Sequence, residues 1–443
     1  MYVAPPPEYL DLLQSLDSER LMTLIRGGTP GNGEQYLHWD KLRHLDPPSD
    51  LSHEEWWFLI KWGRQQLLRP IPLVDEHGEH FEYGVPDLVF RSLHYVDQRC
   101  SGEIAMGEVV TADDQARRHY LVNSLMEEAI RSSQLEGATT TRKVAKELLR
   151  SGRPPKDRSE RMILNNYRAL QFMRDNMSDT LTPGAVFELH RILTEGTLDD
   201  PSAAGRLQTP DDERIAVLDR NDGSIIHEPP PAEQLPDRLD ALCEFANDER
   251  PNQFIHPVVR AILLHFWLAY DHPFEDGNGR TARALFYWYM RTRKYWLVEY
   301  LSISQILRKA PSQYSRAFLL TETDERDTTY FIVYQLDVIK RAVDELHAYL
   351  HRKVAEVRDV ERLVKDSNAF NHRQLALLSN AVRAPDETYT FRSHAGSHGV
   401  TQETARNDLL PLAKMGLLDQ REVRRRYTFT PSPRLPDLLR EAG

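Results

Sequence analysis

Cysteine is nearly absent from these 443 residues: Cys100 and Cys243 stand far apart and in no metal-like spacing. That excludes a disulfide scaffold and a zinc finger, and both read as buried thiols. Long apolar runs are missing as well. No stretch approaches the roughly 20 uninterrupted apolar residues of a membrane helix, and Met1 to Pro7 carries no basic region followed by an apolar one. The chain therefore reads as cytoplasmic, with no membrane partner. Basic excess is lacking too, because 67 acidic against 56 basic residues give a formal charge of −11, which argues against indiscriminate nucleic-acid binding by the whole molecule. Residues 371–443 depart from this trend, with eleven Lys/Arg against eight Asp/Glu, a local +3 that leaves −14 for the rest. No internal repeat is evident.

What is present is a chain with 40% apolar residues, long enough for two to four folding units. Its first hundred residues hold Trp39, Trp56, Trp57 and Trp62, and Ser52 with Glu55 predicts a capping box at the head of the helix carrying Trp56 and Trp57. From Asp113 a helical period (Leu121, Val122, Leu125, Met126, Ala129, Ile130) runs to Glu136, where Gly137 stops it. Helices are predicted over Thr141–Arg150 and Ser159–Asn176, from Thr182-Pro183 onward, over Leu235–Asp248, Val258–Tyr270 and Thr281–Tyr295, and on to about Val364. Two β-prone runs, Ile215–Leu218 and Ser224–Ile226, flank a polar turn and predict one hairpin. The fold class is mainly α.

The chemistry concentrates at one corner. His272-Pro273 ends an apolar helix, since a residue before proline leaves helical geometry. Phe274 reads as an anchor, and Asp276-Gly277-Asn278-Gly279 then leads into a second apolar helix beginning near Arg280. Two glycines around an asparagine tolerate positive φ, so the loop can turn its N–H groups inward as an anion nest. The following helix N-terminus adds positive dipole, and Arg280 and Arg283, three apart on one face, can grip phosphate oxygens. Asp276 offers the one hard carboxylate that Mg2+ needs when phosphates and water complete its shell. His272 can take a proton from an attacking hydroxyl at neutral pH. Gly31-Asn32-Gly33 repeats the core tripeptide without base, carboxylate or arginine pair and reads as a plain loop. A metal hydrolase built from His256, His265, His272 and Asp276 is the rival, but their spacing matches no compact ligand motif. His256 reads as a helix start and His265 as a packed core residue.

The stretch from His272 to Arg283 resembles the Fic family signature HxFx(D/E)GNGRxxR at every specified position. The resemblance, spanning about 112–345, implies a helical Fic core with a hairpin flap. It implies that His272 is the general base, that Asp276 holds magnesium, and that Phe274, Gly277, Asn278, Gly279, Arg280 and Arg283 form the nucleotide site. The implied reaction transfers AMP from ATP to a Ser, Thr or Tyr hydroxyl of a protein target, or of the enzyme itself. Ser132-Ser133-Gln134-Leu135-Glu136-Gly137 resembles the family's (S/T)xxxE(G/N) motif on an inhibitory helix, 113–137 here, with Ser132, Glu136 and Gly137 its defining positions. Its glutamate would pair with Arg283 where a γ-phosphate belongs; in some relatives it serves AMP removal instead. Tyr314 is similar to a tyrosine that flanks adenine, although Ser315 replaces a second aromatic, and Leu207 to Asp211 departs from the usual approach to the flap. The family also implies self-association, for which no surface stands out.

Four segments are expected: a Trp-rich region at 1–111 that packs on the catalytic unit or selects targets, a Fic domain at 112–345, a helical linker at 346–370 and a domain at 371–443. The last reads as helix (Arg373–Val382), strand (Thr388–Phe391), helix (Thr401–Met415) and a β-hairpin, an order that resembles a winged helix. Gln402, Thr404, Arg406 and Asn407 could then face a DNA groove, with Arg421, Arg424, Arg425 and Arg426 on phosphates. A DNA-binding regulator whose Fic unit only senses a nucleotide is the alternative to a transferase.

Overall fold

A computed structural model of the chain describes residues 2–28, 35–48, 50–101, 114–212, 214, 217–218, 225–248, 254–366, 370–383, 387–423 and 426–442. Gly31 to Gly33, the hairpin turn at 219–224 and Arg424 and Arg425 lie outside them. Two compact units emerge: one of Met1–Ile104 with Asn123–Val343, the other of Ala105–Val122 with Asp344–Gly443.

The first unit opens with helices α1 (Tyr9–Ser15), α2 (Ser18–Gly27), α3 (Trp39–Leu42) and α4 (His53–Gln65). The capping box predicted for α4 is present, and Trp56 and Trp57 are buried in a local apolar core with Tyr9, Leu12 and Leu42. An antiparallel hairpin of β1 (Arg69–Val74) and β2 (His80–Tyr83) follows, then α5 (Asp87–Cys100). This hairpin was not legible, because Pro70 and Pro72 fall inside β1 and mark an edge strand rather than a β-rich run. Next come α6 (Asp114–Leu135), α7 (Arg142–Ser151), α8 (Arg158–Asp175) and α9 (Pro183–Thr194), all within a few residues of the predicted spans. Two short strands, β3 (Val217–Leu218) and β4 (Ile225–His227), pair antiparallel where the hairpin was predicted.

The centre of this unit is α11 (Pro257–Asp271), preceded by α10 (Leu235–Asn247) and followed by α12 (Asn278–Thr292). Nearly every residue of α11 and α12 is buried, so these two helices are sheathed by others rather than amphipathic. Helices α13 (Ile303–Lys309), α14 (Pro311–Thr323) and the long α15 (Thr329–Asp366) complete the succession. Cys100 and Cys243 are buried thiols, as expected.

In the second unit, α16 (His372–Arg383), α17 (Phe391–His398), α18 (Gln402–Lys414), the hairpin β5 (Leu418–Val423) with β6 (Arg426–Pro431), and α19 (Leu435–Ala442) surround a core containing Leu378, Leu409, Leu412 and Phe429. The strand predicted at 388–391 is reduced to one bridge, Tyr389 to Phe429. The β-prone run misleads because Thr390 and Ser393 form a capping box, which starts a helix at Phe391. No helix among the described residues is long and apolar enough to cross a membrane.

Candidate active site

The corner is built by the end of α11. His272 leaves the helix in left-handed geometry, φ 45° and ψ 52°, an uncommon state for a residue with a side chain and one found where strain is held for function. Phe274 then plunges into the core and stacks on His190 of α9, 3.8 Å between ring centres and 7° from parallel. The Asn278 side chain turns back: its Oδ1 accepts from the Phe274 N–H at 2.9 Å and its Nδ2 donates to the Phe274 carbonyl at 2.7 Å. Asn278 thus braces the loop rather than presenting its amide to a ligand. Gly277 caps α12 with φ 88°, where a Cβ would also sit 2.8 Å from Thr194 Cγ2. The first carbonyl bond of α12 is Thr281 N–H to Gly277, which leaves the N–H groups of Asn278, Gly279 and Arg280 at the helix mouth for an anion.

Two arginines stand under this cradle. Arg280 is buried, donates to the Leu193 carbonyl at 3.1 Å and pairs with Asp276 at 3.2 Å, while its Nε has no partner among the described residues. Arg283, also buried, donates to Ser132 Oγ and to the Ser132 carbonyl at 3.0 and 3.2 Å, and its Nη2 pairs with Glu136 Oε1 at 2.8 Å. Its Nη1 is buried without a hydrogen-bond partner among the described residues. The Glu136 carboxylate lies directly over Gly279, so a methyl group on that glycine would overlap it. Gly137, at φ 102°, turns the chain just after Glu136. Orphaned guanidinium donors beside free N–H groups fit a polyanionic substrate.

Asp276 rims the loop with a half-exposed carboxylate, its Oδ1 accepting from the Gly277 N–H at 2.5 Å and Arg158 approaching Oδ2 at 3.7 Å. Among the described residues no group of three or more His, Cys, Asp or Glu side chains could hold a metal. A lone carboxylate at an anion nest suits a hard cation that takes its other ligands from phosphates and water. The His272 imidazole lies with Nδ1 3.4 Å from the Ala269 carbonyl, so an Nδ1–H donates there and Nε2 keeps its lone pair. Burial pushes its pKa down to about 4, only partly opposed by that carbonyl.

Several residues that build the site escaped sequence reasoning. His190 accepts from the Gly205 N–H at 3.0 Å through Nδ1 and donates to the Asp276 carbonyl at 2.8 Å through Nε2, holding the loop from below. Glu128, buried on α6, accepts from Ser304 Oγ at 2.6 Å and Ser302 Oγ at 2.8 Å, and so ties the helix leading to Glu136 onto the start of α13. Tyr314 is half-buried with its hydroxyl taken by His265 Nε2 at 2.8 Å, and Phe318 lies edge-on to its ring. His265 itself is fully buried, and His256 caps α11 through Val258 N–H.

The Fic/DOC family model matches residues 180–290, which include the whole corner. A crystal structure of a Fic family protein from Desulfovibrio desulfuricans G20 shares the fold over 78% of this chain and 95% of its own, with a TM-score of 0.52 and 18% identity. The protein adenylyltransferase Fic of Nematostella vectensis is 32% identical over 126 residues, 28% of this chain and 26% of that one. The protein adenylyltransferase fic-1 of Caenorhabditis elegans is 30% identical over 158 residues, 34% and 28% of the two chains. The matched region thus spans roughly a quarter of each curated relative.

Proposed function

We propose that the protein is a self-restrained adenylyltransferase that moves AMP from Mg-ATP to a protein hydroxyl, its own included. The observation that carries this reading is the Glu136 carboxylate resting on the Fic loop over Gly279 and paired with Arg283, in the place where an anionic phosphate tail would lie. The relatives' name, protein adenylyltransferase, gives the reaction class.

In the forward reaction the acceptor O–H gives its proton to His272 Nε2 as its oxygen bonds to the α-phosphorus. The bond from that phosphorus to the bridging oxygen breaks on the opposite side, and pyrophosphate leaves. The N–H groups of Asn278, Gly279 and Arg280, with both guanidiniums, hold the charge that builds on the departing phosphates. Asp276 would hold a magnesium ion, whose charge would neutralise the departing phosphates further. Removal of AMP from a modified target is the opposite use of the same groups, with Glu136 directing water. Incubating the Glu136→Gly form with each labelled nucleotide and a host-cell extract tests donor, transfer and target together. Label on neither the enzyme nor any extract protein would sink the proposal.

The base also predicts a pH profile. A group with a depressed pKa stays neutral, hence competent, until the pH falls to that value. In the Glu136→Gly background, kcat/KM for ATP is expected to hold level from pH 7 to about 5 and to fall only near about 4. An acidic limb centred at an ordinary imidazole value would contradict the buried base.

A second reading concerns residues 371–443. Asp408 of α18 faces inward, accepting from Arg373 at 2.7 Å, Asn371 at 2.8 Å and His394 at 3.1 Å. Its charge is therefore absent from the outer face, where Gln402, Arg406 and Asn407 are exposed beside Glu403. That face favours a winged-helix contact with duplex DNA, reporting nucleotide state to a promoter. Anisotropy of a labelled mixed-sequence duplex should rise with protein at low salt and lose several-fold affinity in Arg406→Ala. A flat titration at low salt would remove this reading.

A further inference from the structure

The last carbonyls of a helix have no partner within it, and at α11 those carbonyls belong to the residues around the base. One segment meets the last two of them, at Tyr270 and Asp271, and the two that follow, at His272 and Pro273. His227 Nε2 donates to the Tyr270 carbonyl at 2.6 Å. Arg214 donates to the Asp271 carbonyl at 2.9 Å and to the His272 carbonyl at 2.8 Å, and the Gln208 N–H donates to the Pro273 carbonyl at 2.9 Å.

Arg214 and His227 stand at the two feet of the β3–β4 hairpin, where Val217 pairs with His227. Each foot is itself held. Arg214 also donates to Gln208 Oε1 at 2.6 Å and to the Pro230 carbonyl at 2.7 Å. His227 turns its other nitrogen, Nδ1, to Glu322 Oε2 of α14 at 2.9 Å. A ring whose two nitrogens both face acceptors carries both protons, so His227 is an imidazolium. Two cations thus meet the negative end of the α11 dipole, while Asp271 below them is held by Arg238 at 2.6 Å and by Trp267 at 2.9 Å.

We propose that Arg214 and His227 are positioning residues that lock the hairpin and His272 into one frame. The proposal rests on the adenylylation reading, in which an acceptor aligned along the hairpin by main-chain bonds must meet the base within a fraction of an ångström. Neither residue touches the reacting atoms. Without the feet, base and nucleotide cradle persist, but the acceptor strand loses its registration to the imidazole. Water needs no such strand. The partition of AMP between protein and water therefore reports the frame, whereas a general loss of folding or of nucleotide binding lowers both products together.

The experiment uses the full chain in the Glu136→Gly background with labelled ATP, scoring labelled protein and free AMP in the same reaction. Arg214→Met and His227→Asn are each expected to lower the ratio of labelled protein to free AMP by about tenfold or more, with ATP binding within about twofold of the parent. Arg214→Lys, which keeps the charge but offers a single head, is expected to recover part of the ratio. A ratio unchanged in both variants, or one that Arg214→Lys lowers no less than Arg214→Met, would overturn the proposal. Absence of label in the parent would count against the adenylylation reading instead. Hydrogen exchange of peptides covering 205–214 and 268–276 then decides the pinning: faster exchange in Arg214→Met upholds it, and unchanged exchange overturns it.

Discussion

Replacing Glu136 with glycine is expected to raise self-labelling from ATP by roughly 10- to 100-fold, the worth of one charge-assisted hydrogen bond read as a rate. The carboxylate has two effects on the site, and the substitution removes both. It fills the volume over Gly279, and it occupies the Nη2 donor of Arg283 at 2.8 Å. On the proposed reading, the carboxylate in place would displace the terminal phosphates of ATP and turn the α-phosphorus away from in-line attack. Glycine also removes the paired carboxylate from the buried Arg283, so the variant is expected to melt a few degrees lower without ligand. ATP should then raise its melting temperature more than it raises the wild type's, because binding now supplies the missing anion. Equal labelling by the two proteins under saturating ATP would discard Glu136 as a brake.

Removal of the imidazole is expected to work in the other direction and by more. In the Glu136→Gly background, His272→Ala should lower labelling by about 10²- to 10⁴-fold, the range that general-base catalysis contributes. ATP affinity should stay close to that of the parent, since the loop N–H groups, Arg280 and Arg283 make their contacts without His272. The pairing of lost turnover with retained binding separates a base from a scaffold. A variant that still labels at a tenth of the parent rate would show that the acceptor proton leaves by another route.

Much of this was legible because it is local. A helix that ends at His272-Pro273, a loop with Gly277 and Gly279, and arginines three apart are properties of twelve consecutive residues, and the structure brings them together at one corner. The helical period of α6 runs up to Glu136, where Gly137 stops it, but the role expected of Glu136 came from its resemblance to the family motif. What escaped notice depends on distant packing. Asn278 is polar and sits in a loop, so its type suggests a ligand contact, yet the loop consumes both ends of its amide. His190, Glu128, Arg214 and His227 lie tens of residues from the signature and carry no spacing that ties them to it. Their partners are backbone carbonyls and hydroxyls, groups that every sequence contains, and so composition gives no sign of them. The bridge at Tyr389 and the helix starting at Phe391 show the same limit, since one capping box overrides a β-prone run.

Arg283 keeps Nη1 buried and, among the described residues, unbonded even while Nη2 is paired with Glu136. On the proposed reading a two-oxygen carboxylate stands where a three-oxygen phosphate would lie, and the unmade bond would cost about 1–3 kcal/mol relative to a full set of hydrogen bonds. On the proposed reading the glutamate-held form would be the less contented of two occupancies, and a triphosphate that displaced Glu136 would gain a bond that the carboxylate does not make.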